Sequence, residues 1–150
     1  MAHIRLATIL VLLASLLPAS ASAQLSEAAA DIRTHLEFLG YEVTVEEDNV
    51  AATHESKLDI YLRDYQGGML MQSYVLVVSN KDEALPTANL LNTGAAATRF
   101  YIDSDGDLAV EAWMPGGYEK ARFAAFLEAW DADTLGQFRT YSEEIRRLVN

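Results

Sequence analysis

Between Thr98 and Trp113 the chain reads Thr-Arg-Phe-Tyr-Ile-Asp-Ser-Asp-Gly-Asp-Leu-Ala-Val-Glu-Ala-Trp, an acidic turn between two runs that alternate apolar and polar residues. Asp-Gly in that setting is a strong short-range signal for a β-hairpin. A two-residue Asp-Gly turn would set Phe100 against Glu111 and mix the faces. A three-residue turn, Ser104-Asp105-Gly106 with Gly106 left-handed, pairs Ile102 with Leu108 and Phe100 with Val110. One face is then wholly apolar, and the other pairs Arg99 with Glu111. A slip of one residue exchanges the faces, so the buried side decides for the three-residue turn. Asp103 and Asp107 then face each other toward solvent, a like-charge cost of a few tenths of a kcal/mol, roughly.

Met1–Ala23 has the organisation of a cleaved secretory leader: Arg5, an apolar run Leu6–Leu17, Pro18, then Ala21-Ser22-Ala23 as a small-x-small cleavage site. The run is shorter than the ~17–25 apolar residues that cross a bilayer. The expectation is a periplasmic or secreted protein with no stable membrane insertion after cleavage. Residues 24–150 then form a single domain. The chain has no cysteine, so an exported fold of this size stands on its core, and thiol chemistry is excluded. Its net charge is −11, and losing Arg5 with the leader makes it −12. Nucleic acid and anionic lipid would be repelled.

The first helix carries Ala29, Ile32, Leu36 and Leu39 at helical spacing, with Ser26 as its cap and Gly40 as its stop. Tyr41–Glu47 alternates as a half-buried strand. Val50–Ser56 is weakly patterned and fits a short strand or a loop. Lys57–Asp64 alternates again, with Leu58, Ile60 and Leu62 inward. Met69–Val78 is a long strand whose second half is apolar on both sides, which places it in the middle of a sheet. Asn80 and Glu83 have the spacing of a capping box for a second helix that contains Pro86. After the hairpin, Pro115-Gly116-Gly117 breaks the chain. A helix follows from about Tyr118 to Trp130. Asp131-Ala132-Asp133-Thr134 is expected to interrupt it and to cap a final amphipathic helix over residues 134–150. That helix could pack on its own sheet or on a second chain, as in a homodimer. The order α-β-β-β-α-β-β-α, to which the ambiguous segment would add a strand and the C-terminal segment a last helix, groups strands and helices and argues an α+β fold with an antiparallel sheet and helices packed on it.

This order, with Phe38-Leu39-Gly40-Tyr41, Asn89-Leu90-Leu91-Asn92, the segment Arg99–Leu108 and Phe123-Ala124-Ala125-Phe126-Leu127, resembles the YbjN-like domain family. That family is described as bacterial sensory transduction regulators. The resemblance covers most of Leu25–Phe138. It implies a type III secretion chaperone-like fold, often dimeric, and no catalytic residue. The export signal departs from the family pattern.

Asp103, Asp105 and Asp107 have the spacing of the first acidic positions of a calcium loop. Such a loop needs Gly sixth and Glu twelfth; here Gly106 is fourth and Met114 twelfth. The turn therefore reads as a solvated hairpin tip. A weak divalent-cation site or a small periplasmic enzyme built on these three residues is the alternative. His35 borders the buried stripe of the first helix and His54 lies in the ambiguous segment, too distant in sequence for a local metal motif. No nucleophile elbow, dinucleotide fingerprint or phosphate loop is present. No catalytic residue, metal ligand or cofactor is assigned. Met69 and Met71 share a strand face and, with Tyr74, offer either core packing or an adaptable binding surface. The functional expectation is an exported, non-catalytic binding or regulatory module that engages a protein or peptide partner in the cell envelope.

Overall fold

The structure, a computed structural model, describes residues 23–149. The leader expected at residues 1–23 therefore lies outside the described residues, apart from Ala23. The elements in chain order are α1 (Ala23–Phe38), β1 (Glu42–Val45), β2 (Asn49–Thr53), β3 (Ile60–Tyr65), β4 (Gly68–Leu76), α2 (Lys81–Leu91), β5 (Arg99–Ile102), β6 (Leu108–Pro115), α3 (Lys120–Thr140) and α4 (Ser142–Arg147). This is an α+β fold. The six strands form one open antiparallel sheet, ordered β1-β2-β3-β4-β6-β5. None of the described helices is long and apolar enough to cross a membrane.

In α1, Leu25, Ala29, Ile32 and Leu36 recur every three or four residues and are all buried. The helix already runs at Ala23, so Ser26 stands in its first turns rather than at its cap. Gly40, at φ 90°, stops it. The Tyr41 N–H reaches the Leu36 carbonyl and the Gly40 N–H reaches that of Glu37, the paired bonds of a Schellman end.

The hairpin has the register that its apolar face requires: Ile102 opposite Leu108, Phe100 opposite Val110, Tyr101 opposite Ala109 and Arg99 opposite Glu111. Gly106 is left-handed at φ 85°. Strand β4 lies inside the sheet between β3 and β6, as its apolar run implies. Its second half is not covered on both sides, however; Tyr74 is exposed, as is Val77 just beyond its end. The ambiguous segment after Asn49 is a true strand. Only Val50 and Ala52 of β2 face the core, too few to give a clear alternation.

One side of the sheet meets the helices. Val50, Ile60, Leu62, Met69, Met71, Val110 and Phe100 form one cluster there with Ile32 and Leu36 of α1, Leu91 of α2, and Phe123 and Trp130 of α3.

Three expectations about the helices are corrected. The Asn80–Glu83 capping box does not form: the Asn80 side chain makes no cap bond. The backbone N–H groups of Ser79 and Asn80 instead donate to the Leu148 carbonyl. Second, α3 runs unbroken through Asp131–Thr134. The Thr134 hydroxyl folds back onto the Trp130 carbonyl (2.8 Å), and Trp130, Thr134 and Gln137 are buried along one side. Third, the chain turns at Tyr141, so residues 134–140 belong to α3 and the final helix has six residues. Leu148 is fully buried in the core cluster. The C-terminal segment is thus docked on its own domain.

Candidate protein-binding face of the sheet

Alternation along each strand sends every second side chain away from the helices. Met71 faces the core, so Leu70, Gln72 and Tyr74 face the other way. The register carries that orientation to Tyr61 and Arg63 on β3, Glu111 and Trp113 on β6, and Arg99 and Tyr101 on β5. No described helix covers this side. Leu70 and Ala109 are buried, yet neither belongs to the core cluster; the larger side chains around them on the open face shield them. Those larger side chains are mostly aromatic: Tyr61 (40% exposed), Tyr65 (41%), Trp113 (47%) and Tyr74 (65%).

Trp113 is held in a defined position. Its indole N–H donates to the Tyr65 carbonyl at 3.0 Å. The ring passes across Gly68, where a Cβ would lie 2.7 Å from the indole nitrogen. Glycine thus lets the indole lie down on the sheet, while nearly half of the residue still meets solvent. Gly68 enters β4 from a two-residue turn, Gln66-Gly67, with both φ angles positive (47° and 72°) as a tight hairpin requires. Tyr61 and Tyr74 meet edge to face, with ring centroids 5.8 Å apart.

The polar groups of the face satisfy one another. The Gln72 side chain accepts from Arg63 Nε (3.2 Å) and donates to the Tyr101 hydroxyl (3.0 Å). Arg99 pairs with Glu111 and lies over the Tyr101 ring, and Arg63 lies over Tyr65. Burial pushes the Tyr101 phenol up from its ordinary value, which keeps it neutral. Glu111 neutralises Arg99, Arg63 keeps its charge while bonded to the Gln72 amide, and the remaining area of the face is mainly aromatic. It suits an apolar, planar contact.

Of the residues singled out in sequence, Met69 and Met71 are fully buried against the helices. Tyr74 is on the opposite side, because it lies five positions beyond Met69 and an odd offset reverses the face. The three do not form one surface, and only Tyr74 belongs to the open face.

The acidic turn is exposed at its tip, Ser104 and Asp105, while the carboxylates on either side of it are engaged. Asp103 Oδ1 accepts the N–H groups of Asp105 and Asp107, both at 2.9 Å. Asp107 Oδ1 accepts the Val78 N–H (2.9 Å) and pairs with Lys81 Nζ (3.1 Å). The Val78 N–H, and then the Lys81 ammonium, hold the Asp107 carboxyl below the usual carboxylate range. Asp103 thus closes the turn, and Asp107 ties the hairpin to the β4–α2 connection. Among the described residues no three His, Cys, Asp or Glu side chains are grouped to hold a metal ion.

His35 packs edge-on against Tyr118 and Phe123, its Nδ1 3.3 Å from the Tyr118 hydroxyl. Burial, then the charge of Lys120, lowers its pKa. His54 leans on Tyr41, whose phenol is pushed up to about 12 by burial and then by Asp131 and Asp59. The two histidines stand in separate aromatic settings.

Sequence reasoning missed the aromatic face because Tyr61 and Tyr65 lie on β3 and Trp113 on β6, far apart in the sequence. Each occupies an outward position of an otherwise ordinary alternation. Their common signal is large aromatic residues at positions where solvent-facing strands usually carry polar ones. No protein-family model matches the chain, and no curated protein matches its sequence.

Proposed function

We propose that this chain is an exported, non-catalytic binding module of the YbjN-like type, acting in sensory regulation at the cell envelope, and that it engages a protein partner through the open face of its sheet. The observation that carries this reading is the uncovered aromatic surface of Tyr61, Tyr65, Tyr74 and Trp113. Tyr and Trp dominate the energetics of protein interfaces because they offer large, stiff area with a polar edge. The strongly acidic balance and the pairing of Arg99 with Glu111 disfavour nucleic acid and anionic lipid as ligands. The sequence features behind the family resemblance, and an antiparallel sheet with helices on one side, agree with a secretion chaperone-like arrangement.

Photo-crosslinking in the native envelope tests the reading. A crosslinking residue at position 74 or 113 should trap one discrete protein, and the same residue at Arg139 on α3 should not. Trp113→Ala should abolish the product from position 74. Equal trapping from both sides of the molecule, or none from the sheet, would overturn it.

A further inference from the structure

The two edges of the sheet are treated differently. On β5 the Asp103 N–H points inward to the Asp107 carbonyl, so the backbone groups of Thr98, Phe100 and Ile102 point outward. Two of these three positions are closed by side chains. Asn92 donates to the Phe100 carbonyl and accepts its N–H, both at 2.8 Å, as a neighbouring strand would. Asp133 accepts the Thr98 N–H at 2.9 Å.

On β1 the Glu46 N–H points inward to the Asn49 carbonyl, which turns the backbone groups of Val43 and Val45 outward. No side chain or strand among the described residues meets them. Val43 and Val45 are half-buried against the core, and Glu42, Thr44 and Glu46 alternate with them on the open-face side. Two clefts bracket this strand. One, of about 330 Å³, is lined by Gly40, Glu42, Thr53, His54 and Glu55; the other, of about 250 Å³, includes Glu47, Asp48 and Asp64 beside Arg63. In both, carboxylates outnumber basic side chains.

We infer that the β1 edge is a strand-addition site for an extended, basic peptide segment, separate from the aromatic face. The outward groups of Val43 and Val45 can exchange up to four main-chain hydrogen bonds with such a segment. Its apolar residues would extend the row of Val43 and Val45, and basic residues at either end would meet Glu42 and the Glu46–Asp48 turn. A second copy of this chain fits poorly. Pairing β1 with itself about Thr44 sets Glu42 opposite Glu46 twice, and like charges directly opposite repel. The alternating basic pattern is thus the chemistry that the edge selects.

The probe is the capped peptide acetyl-Lys-Val-Thr-Val-Lys-amide, titrated into the protein and followed by backbone amide NMR. Saturable shifts centred on Val43 and Val45 are expected, weakened by salt. N-methylation of the two valines should abolish them. Reversing Glu42 and Glu46 to Lys should cut affinity about tenfold, and a peptide with Glu in place of Lys should regain it. The inference is overturned by shifts that centre on Trp113, by equal binding of the N-methylated peptide, or by Val43 and Val45 amides already protected from exchange in the free protein. Loss of the aromatic face through Trp113→Ala should leave this titration unchanged, so the two sites fail independently.

Discussion

Asp107 shows how one side chain turns a local motif into a tertiary clasp. Its carboxylate bridges the hairpin, the Val78 N–H and Lys81. Those contacts depress its pKa, so the unfolded chain takes up the proton first as pH falls. The stability it contributes is therefore present above about pH 4 and is lost as pH drops through the depressed value. Asp107→Asn should lower stability at neutral pH and flatten the acid loss, read from urea midpoints at pH 7 and about pH 3. Identical pH profiles would refute this role. Gly68 makes a second case. A Cβ there would lie 2.3 Å from the Met114 carbonyl oxygen and against the Trp113 indole. Gly68→Ala should cost about 2–3 kcal/mol by overpacking and shift the indole fluorescence. Trimming the indole in a Gly68→Ala, Trp113→Phe double variant should restore only part of it, since the backbone clash persists.

The elements differ in how far local sequence determines them. The hairpin was legible because turn chemistry, face alternation and the Arg99–Glu111 pair all demand one register. The continuity of α3 was not. Asp133 and Thr134 favour a cap locally, but Asp133 is used at a distance: one of its oxygens accepts the N–H groups of Ala96, Ala97 and Thr98 and the Thr98 hydroxyl. No spacing in the sequence links residue 133 to residues 96–98. Asp133→Ala should cost about 2 kcal/mol and speed hydrogen exchange at those amides, with the helix itself intact by circular dichroism. Asn92 is the corresponding device on β5. Asn92→Ala leaves the Phe100 N–H and carbonyl unpaired, at a cost of about 1–3 kcal/mol. It also reopens an edge, so the variant should associate in a concentration-dependent way, measured by light scattering. A monomer at all concentrations would show that the amide braces the strand without guarding it.

At the scale of the whole molecule, the sheet separates stability from recognition. The inward apolar residues of β3, β4 and β6 enter one helix-covered core, and the alternate residues form the aromatic surface. The two sets interleave along the same strands, which is why Met69, Met71 and Tyr74 look like one group in sequence. Parity alone separates them. Met71 is fully buried within the cluster that contains Ile32, Leu36 and Trp130, so Met71→Ala removes packing that neighbouring helices cannot refill. It should cost about 2–4 kcal/mol. Tyr74 is 65% exposed and rests edge-on against Tyr61, so Tyr74→Ala should cost less than about 1 kcal/mol. The order should invert for partner capture: Tyr74→Ala should lose most of it, and Met71→Ala should retain it at temperatures where the variant stays folded. Urea denaturation and crosslinking yield on the same two variants check both halves. If Tyr74→Ala destabilises as much as Met71→Ala, the open face is part of the fold's own support rather than a surface held ready for another molecule.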